Sequence, residues 1–178
     1  ALVAFDTGPA NGPVDEWIEA RGQGTHDVDG RFAAAGQADE ALLAGLFQRD
    51  WFRQPPPKSL DRYDFSAEMV RGLSLEDGAA TLTQFSARAV AAGLSQLAEY
   101  PRRVIACGGG RHNPTLMAAL RDAVSCPVLT AEEVGWRGDS IEAEAFAYLA
   151  ARTAKGLPIS WPETTGVPTP LTGGKLLD

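Results

Sequence analysis

Two short runs in this 178-residue chain carry groups that could handle a phosphate. The first is Phe5-Asp6-Thr7-Gly8-Pro9-Ala10-Asn11, directly after an apolar start. It reads as a strand that ends on the carboxylate of Asp6 and turns at once into a glycine loop. A carboxylate so placed can act as a general base, and Gly8 lets backbone N–H groups approach a phosphoryl oxygen closely. The same residues also make an ordinary turn, with Asp bonding its own backbone and Gly supplying positive φ. The second run is Gly108-Gly109-Gly110-Arg111-His112-Asn113, between an apolar strand and a helix start. Exposed N–H groups and the dipole at a helix N-terminus favour an anion or a nucleotide edge. A tight βα connection would leave the same pattern.

The familiar nucleotide fingerprints fit the second run poorly. In GxGxxG the sixth position lets helix and strand pack closely, and here it is Asn113, although Glu132 or Glu133 lies at about the spacing of a ribose-binding acid. The phosphate-loop pattern fails because no Lys-Ser or Lys-Thr follows the glycines. Each run ends a strand and opens toward a helix, so both could face one cleft at the carboxyl ends of a sheet. Other reactive residues read more plainly. His26 and His112 are too isolated for a metal site, and Arg111, which could meet a phosphate, reads first as an exposed loop residue. Cys107 reads as a small buried hydrophobe, and Trp51-Phe52 as core.

The elements that would position these runs follow from spacing and caps. Asn11-Gly12-Pro13 starts a first helix carrying Val14, Trp17 and Ile18, and residues 22–37 lack an apolar period and read as loop. Leu42, Leu43, Leu46 and Phe47 mark a short helix, and Pro55-Pro56-Pro57 enforces an extended stretch. Ser74 with Asp77 caps a long helix expected to reach about Tyr100 and to be the central packing element. Val104 to Cys107, a helix capped by Asn113-Pro114, and Pro127 to Thr130 form a βαβ unit with parallel strands, and Cys107 and Cys126 are both expected on strands. Asp139 and Glu142 read as a capping box for the last long helix, and the Pro- and Gly-containing tail wraps the surface.

Composition bounds the partners. A hydrophobic content of 44% fits one globular α/β domain, while a formal charge of −7 argues against a broad nucleic-acid footprint. A small phosphorylated ligand is compatible with that charge, since helix ends bind it locally. Two cysteines without a CxxC pair point to reduced thiols and a cytoplasmic setting. No apolar run is long enough for a membrane span, and no membrane partner is expected. The chain opens inside an expected strand without a methionine, as a later part of a longer protein would. A homodimer stays open.

Taken in order, Phe5-Asp6-Thr7-Gly8-Pro9 with Asn11, Gln54-Pro55 through Lys58-Ser59, Cys107-Gly108-Gly109-Gly110 with Asn113, and Gly138-Asp139 with Glu142-Ala143 and Phe146-Ala147 resemble anhydro-N-acetylmuramic acid kinases along nearly the whole chain. The resemblance implies an α/β RNase H-like lobe of the actin-like ATPase kind, with a mixed sheet flanked by helices. Residues 1–178 would form the C-terminal lobe alone, the N-terminal lobe being a missing partner. It implies ATP and Mg²⁺, and opening of the 1,6-anhydro ring of an amino sugar with water and phosphorylation, in peptidoglycan recycling. Asp6 would be the base that activates water. Thr7 and Gly8 would approach the ATP phosphates, and Gly108, Gly109, Gly110 and Asn113 would shape the nucleotide pocket. Asn11 and Glu142 would lie near the sugar, each being also a cap candidate. Ala10 departs from the family, which more often has glycine there. The competing readings are an NAD-binding oxidoreductase domain and a non-catalytic lobe that binds nucleotide or sugar.

Overall fold

The computed structural model describes residues 2–61 and 64–175. Its first helix, α1 (Gly12–Ala20), has a proline in its first turn and buries Val14, Trp17 and Ile18. The segment read as loop contains a second helix, α2 (Arg31–Ala35). The Asp27 carboxylate explains it. It is 3% exposed and accepts the N–H groups of Phe32 at 3.0 Å and Ala33 at 2.9 Å. Those bonds satisfy the first turn of a helix too short to show an apolar period. Helix α3 (Glu40–Leu46) is capped by Asp39, which accepts from Leu42 N–H at 2.8 Å.

The central element is α4 (Leu75–Leu94), started by Ser74 accepting the Asp77 N–H at 3.0 Å. It is buried on most sides, with Ala79, Leu82, Phe85 and Ala89 in the core, and it packs against α1, α2 and α3. Phe85 anchors an aromatic cluster with Phe47, Phe52 and Phe65, and Trp51 joins its edge, so Trp51-Phe52 packs half-buried against the core, in line with the expected core role. The helix stops short of Tyr100. Gly93 weakens its last turn, and the Gln96 side chain donates to Phe52 O at 2.7 Å, which holds the chain off the helical path.

The βαβ unit forms as expected from β1 (Val104–Ala106), α5 (Pro114–Ala123) and β2 (Val128–Thr130), with α5 against α4. The strands run parallel, pairing Val104 with Val128 and Ala106 with Thr130. Among the described residues the sheet has these two strands, narrower than the expected mixed sheet, and an isolated antiparallel bridge joins Ser160 to Leu171. The expected opening strand forms no ladder: Ala4 N–H donates to Glu163 O at 3.1 Å and Asp6 N–H to Lys58 O at 2.9 Å, two different segments. Both cysteines fall outside the strands, Cys107 exposed and Cys126 half-buried, because pairing ends at Ala106 and begins again at Val128. Helices α6 (Ile141–Ala154) and α7 (Pro162–Thr165) complete the chain.

Candidate functional site

The first glycine run lies along α4 by close approach. A Cβ on Gly8 would stand 2.6 Å from Ala89 Cβ, and one on Gly93 would collide with the Thr7 methyl. Ser86 donates to Ala10 O at 2.6 Å, so the loop is fixed to the helix at both ends. Ala10 itself has φ 51°, the left-handed region that favours glycine. A glycine at this position would relieve that backbone cost.

Asn11 joins the two runs. Its side chain makes no capping bond to α1, and a Cβ on Gly110 would lie 3.2 Å from its Nδ2. Asn11 and Gly109 line two cavities. One, of about 370 Å³, is bordered by Asp15, His26, Asp29 and Asn113. The other, of about 350 Å³, is more apolar, with Val90, Met117 and Leu120 in its wall. Burial pushes the Asp15 carboxyl up from its ordinary value, with His26 opposing and Asp27 adding to the shift. Asn113 caps α5 by accepting Leu116 N–H at 3.0 Å.

The glycine loop is open at its second residue. Gly108 has φ 73°, and a Cβ on Gly109 would meet nothing within 4 Å. Packing within the chain thus does not require glycine at 109, and its absent side chain leaves room that a nucleotide could fill. Among the described residues no group of three His, Cys, Asp or Glu side chains could hold a metal ion. Mg²⁺ fits here only as an ion carried largely by phosphate oxygens and water, its usual habit.

The structure brings Asn11, Gly108, Gly109, Gly110 and Asn113 together. Asp6 does not share their cavities: its exposed carboxylate accepts Leu60 N–H at 2.7 Å and borders a cavity of about 290 Å³ with Gly8 and Pro13. Thr7 packs on α4, and Glu142 is exposed on the first turn of α6, outside the two cavities that Asn11 lines.

Sequence reasoning missed Arg111. Expected in solvent, its side chain is 2% exposed. Its Nε donates to both Glu132 carboxylate oxygens at 3.1 and 3.0 Å, Nη2 reaches Glu132 at 2.8 Å and Asp139 at 2.7 Å, and Nη1 donates to Gly108 O at 2.8 Å. Hydrogen bonding from Arg111 holds Glu132 down at about 2, and Arg111 followed by His112 lowers Asp139. Asp139 is consequently an ion-pair partner rather than a capping-box residue, and Ser140 takes the N-cap position of α6 without a side-chain bond. No local pattern could have revealed a partner 21 residues away. Gly138 belongs to the same packing, since a Cβ there would collide with Arg111.

No helix among the described residues is long and apolar enough to cross a membrane. A family model described as anhydro-N-acetylmuramic acid kinase matches residues 1–177. A protein of that name from Caulobacter vibrioides is 60% identical over 99% of this chain, one from Phenylobacterium zucineum 56% over 99%, and one from Mesorhizobium japonicum 53% over 98%. The matched stretch covers 47%, 48% and 47% of those proteins, so the chain spans about half the length of the curated relatives it matches.

Proposed function

Because the chain belongs to the anhydro-N-acetylmuramic acid kinase family, we propose that it is the C-terminal, RNase H-like lobe of a two-lobed ATP-dependent sugar kinase. The observation that carries this reading is the meeting of the two family runs, with Asn11 against Gly110 and the open wall at Gly109 beside them. Gly108 to Gly110 and Asn113 form the nucleotide site across the two adjoining cavities: Gly109 and Asn113 line one with Asp15 and Asp29, which serve as acceptors for hydroxyl groups, and Gly108 to Gly110 line the other. ATP supplies the phosphoryl group, and Mg²⁺ offsets the charge on its phosphates.

In the proposed reaction water adds to the anomeric carbon of 1,6-anhydro-N-acetylmuramic acid, the bond from that carbon to O6 breaks, and O6 takes the γ-phosphoryl group. N-acetylmuramic acid 6-phosphate and ADP leave. Asp6 takes the proton of the attacking water. Its Oδ2 is held by Leu60 N–H, which orients the carboxylate and leaves the other oxygen for the water. Thr7 and Gly8 lie next to this base and approach the phosphates, and Asn11 and Glu142 are assigned to the sugar. The setting is the cytoplasm, where the reaction serves peptidoglycan recycling.

Helix α6 supports a second lobe as partner. None of its residues is buried, and Ala143, Phe146, Ala147 and Ala150 recur on one side at helical spacing, with Phe146 65% exposed. The half of the relatives' length outside this chain is the occupant we assign to that face. The oxidoreductase reading loses its ribose acids, since Glu132 is bound by Arg111 and Glu133 accepts Thr130 N–H at 2.6 Å.

The test supplies the full-length protein with ATP and the anhydro-sugar and follows ADP release and product mass. Equimolar ADP and N-acetylmuramic acid 6-phosphate are expected. Absence of ADP, or tighter binding of NAD than of ATP, overturns the reading.

A further inference from the structure

We propose that Arg111 is a positioning residue for the nucleotide, acting through the glycine loop rather than by touching the ligand. The inference rests on the kinase reading for the ligand's identity, and on geometry for the device itself. Arg111 follows the first two residues of a single 3-10 turn, Gly109–His112, whose backbone bonds are few: Arg111 N–H reaches Gly108 O only at 3.4 Å, and Asn113 N–H donates to Gly110 O at 3.1 Å. The Arg111 guanidinium adds a shorter bond to the same Gly108 carbonyl. With Nε and Nη2 paired to Glu132 and Asp139, Nη1 is left aimed at the carbonyl of Gly108, 2.8 Å away.

The peptide bond turns this contact into an orientation. The C=O of Gly108 and the N–H of Gly109 belong to one planar trans unit and point to opposite sides. Pinning the carbonyl toward Arg111 therefore directs the Gly109 N–H away from the ion-pair cluster. Gly109 forms part of the wall of the polar cavity that also holds Asn113 and Asp15. A preset N–H donor needs no reorganisation when an acceptor on the nucleotide arrives.

Three elements meet at this clamp. Glu132 comes from the turn after β2 and also accepts Gly138 N–H at 3.2 Å, and Asp139 immediately precedes Ser140, the N-cap of α6. His112, beside Arg111, faces Asp139 at 3.4 Å. The close passage of Gly138 over the guanidinium shows how tightly the site is enclosed. A planar fork with five donors meets these demands; an ammonium group on a flexible stem does not.

The experiment has two arms. In the full-length protein, Arg111→Met should raise the KM for ATP about tenfold and leave the KM for the anhydro-sugar within about twofold, with Arg111→Lys recovering little of the loss. In this chain, hydrogen exchange at Gly109 and Gly110 should accelerate about tenfold in Arg111→Met while the amides of α4 keep their protection. Asp139→Asn, which keeps the Glu132 fork, should give a smaller change in the same direction and serves if the Met variant fails to fold. Equal rises in both KM values, full rescue by Lys, or unchanged exchange at the glycines overturns the inference. A wild-type protein without ATP turnover overturns the kinase reading alone, and the exchange arm then still decides on the clamp.

Discussion

The carboxylate of Asp6 accepts the N–H of Leu60 at 2.7 Å while its own N–H donates to Lys58 O at 2.9 Å. Two family runs far apart in sequence are thereby tied at the proposed base. Asp6→Asn keeps an oxygen for Leu60 but has no carboxylate to take a proton. ADP formation by the full-length protein should fall by about 10²- to 10⁴-fold, with the melting temperature little changed. Turnover within a few-fold of wild type would remove Asp6 from its role.

Ala10 sits at φ 51°, where an L-residue costs about 1–2 kcal/mol that glycine avoids. Ala10→Gly should therefore stabilise the chain, by less than about 1 kcal/mol once glycine's larger unfolded-state entropy is counted. Urea unfolding measures the difference, and a loss of stability would contradict the strain.

Gly8 is required by packing in this structure. Gly8→Ala places a methyl 2.6 Å from Ala89 Cβ and should destabilise the chain by about 1–3 kcal/mol. The double variant with Ala89→Gly should recover part of that loss, less the cost of about 1 kcal/mol for glycine within α4. Strictly additive losses would show that the two residues do not meet.

The Glu132 carboxylate has an ordinary value of 4.5 and is held at about 2 in the fold by the Arg111 guanidinium. A depressed folded value stabilises the fold above 4.5, and the contribution is lost as pH falls from 4.5 toward 2, where the unfolded chain binds the extra proton. Denaturant midpoints measured across that window should decline for wild type. In Glu132→Gln the decline should be shallower, and parallel curves would contradict the assignment.

Phe146 is 65% exposed in this chain. Phe146→Asp should leave its melting temperature nearly unchanged, as surface substitutions do. In the full-length protein the same change buries a charge and should cost several kcal/mol if the second lobe covers α6. Small effects in both would detach α6 from that interface, and a fall in dimer content alone would assign the face to a second copy.

Much of the architecture was legible because it is written in short-range chemistry. Ser74 with Asp77, Asn113 with Pro114, and the apolar periods of α1, α4 and α5 specify caps and buried faces within a few residues of each other. Helix α2 was hidden because its capping acid, Asp27, stands outside it and its five residues show no period. The end of α4 was misjudged because Gln96 is engaged by Phe52 O, 44 residues away.

The site divides in the same way. Residue types and spacing alone marked Asp6 and the glycine loop as candidates, because a general base and a phosphate cradle each demand particular groups in local order, while the family resemblance added Asn113. Only tertiary packing decided that Asn11 and not Asp6 stands against the glycines, that Gly8 is glycine to clear Ala89, and that Arg111 leaves solvent to hold Gly108 O. Each of these is a contact between distant parts of the chain, and its partner is selected by how α4, α5 and the turn after β2 come together, which no local pattern encodes.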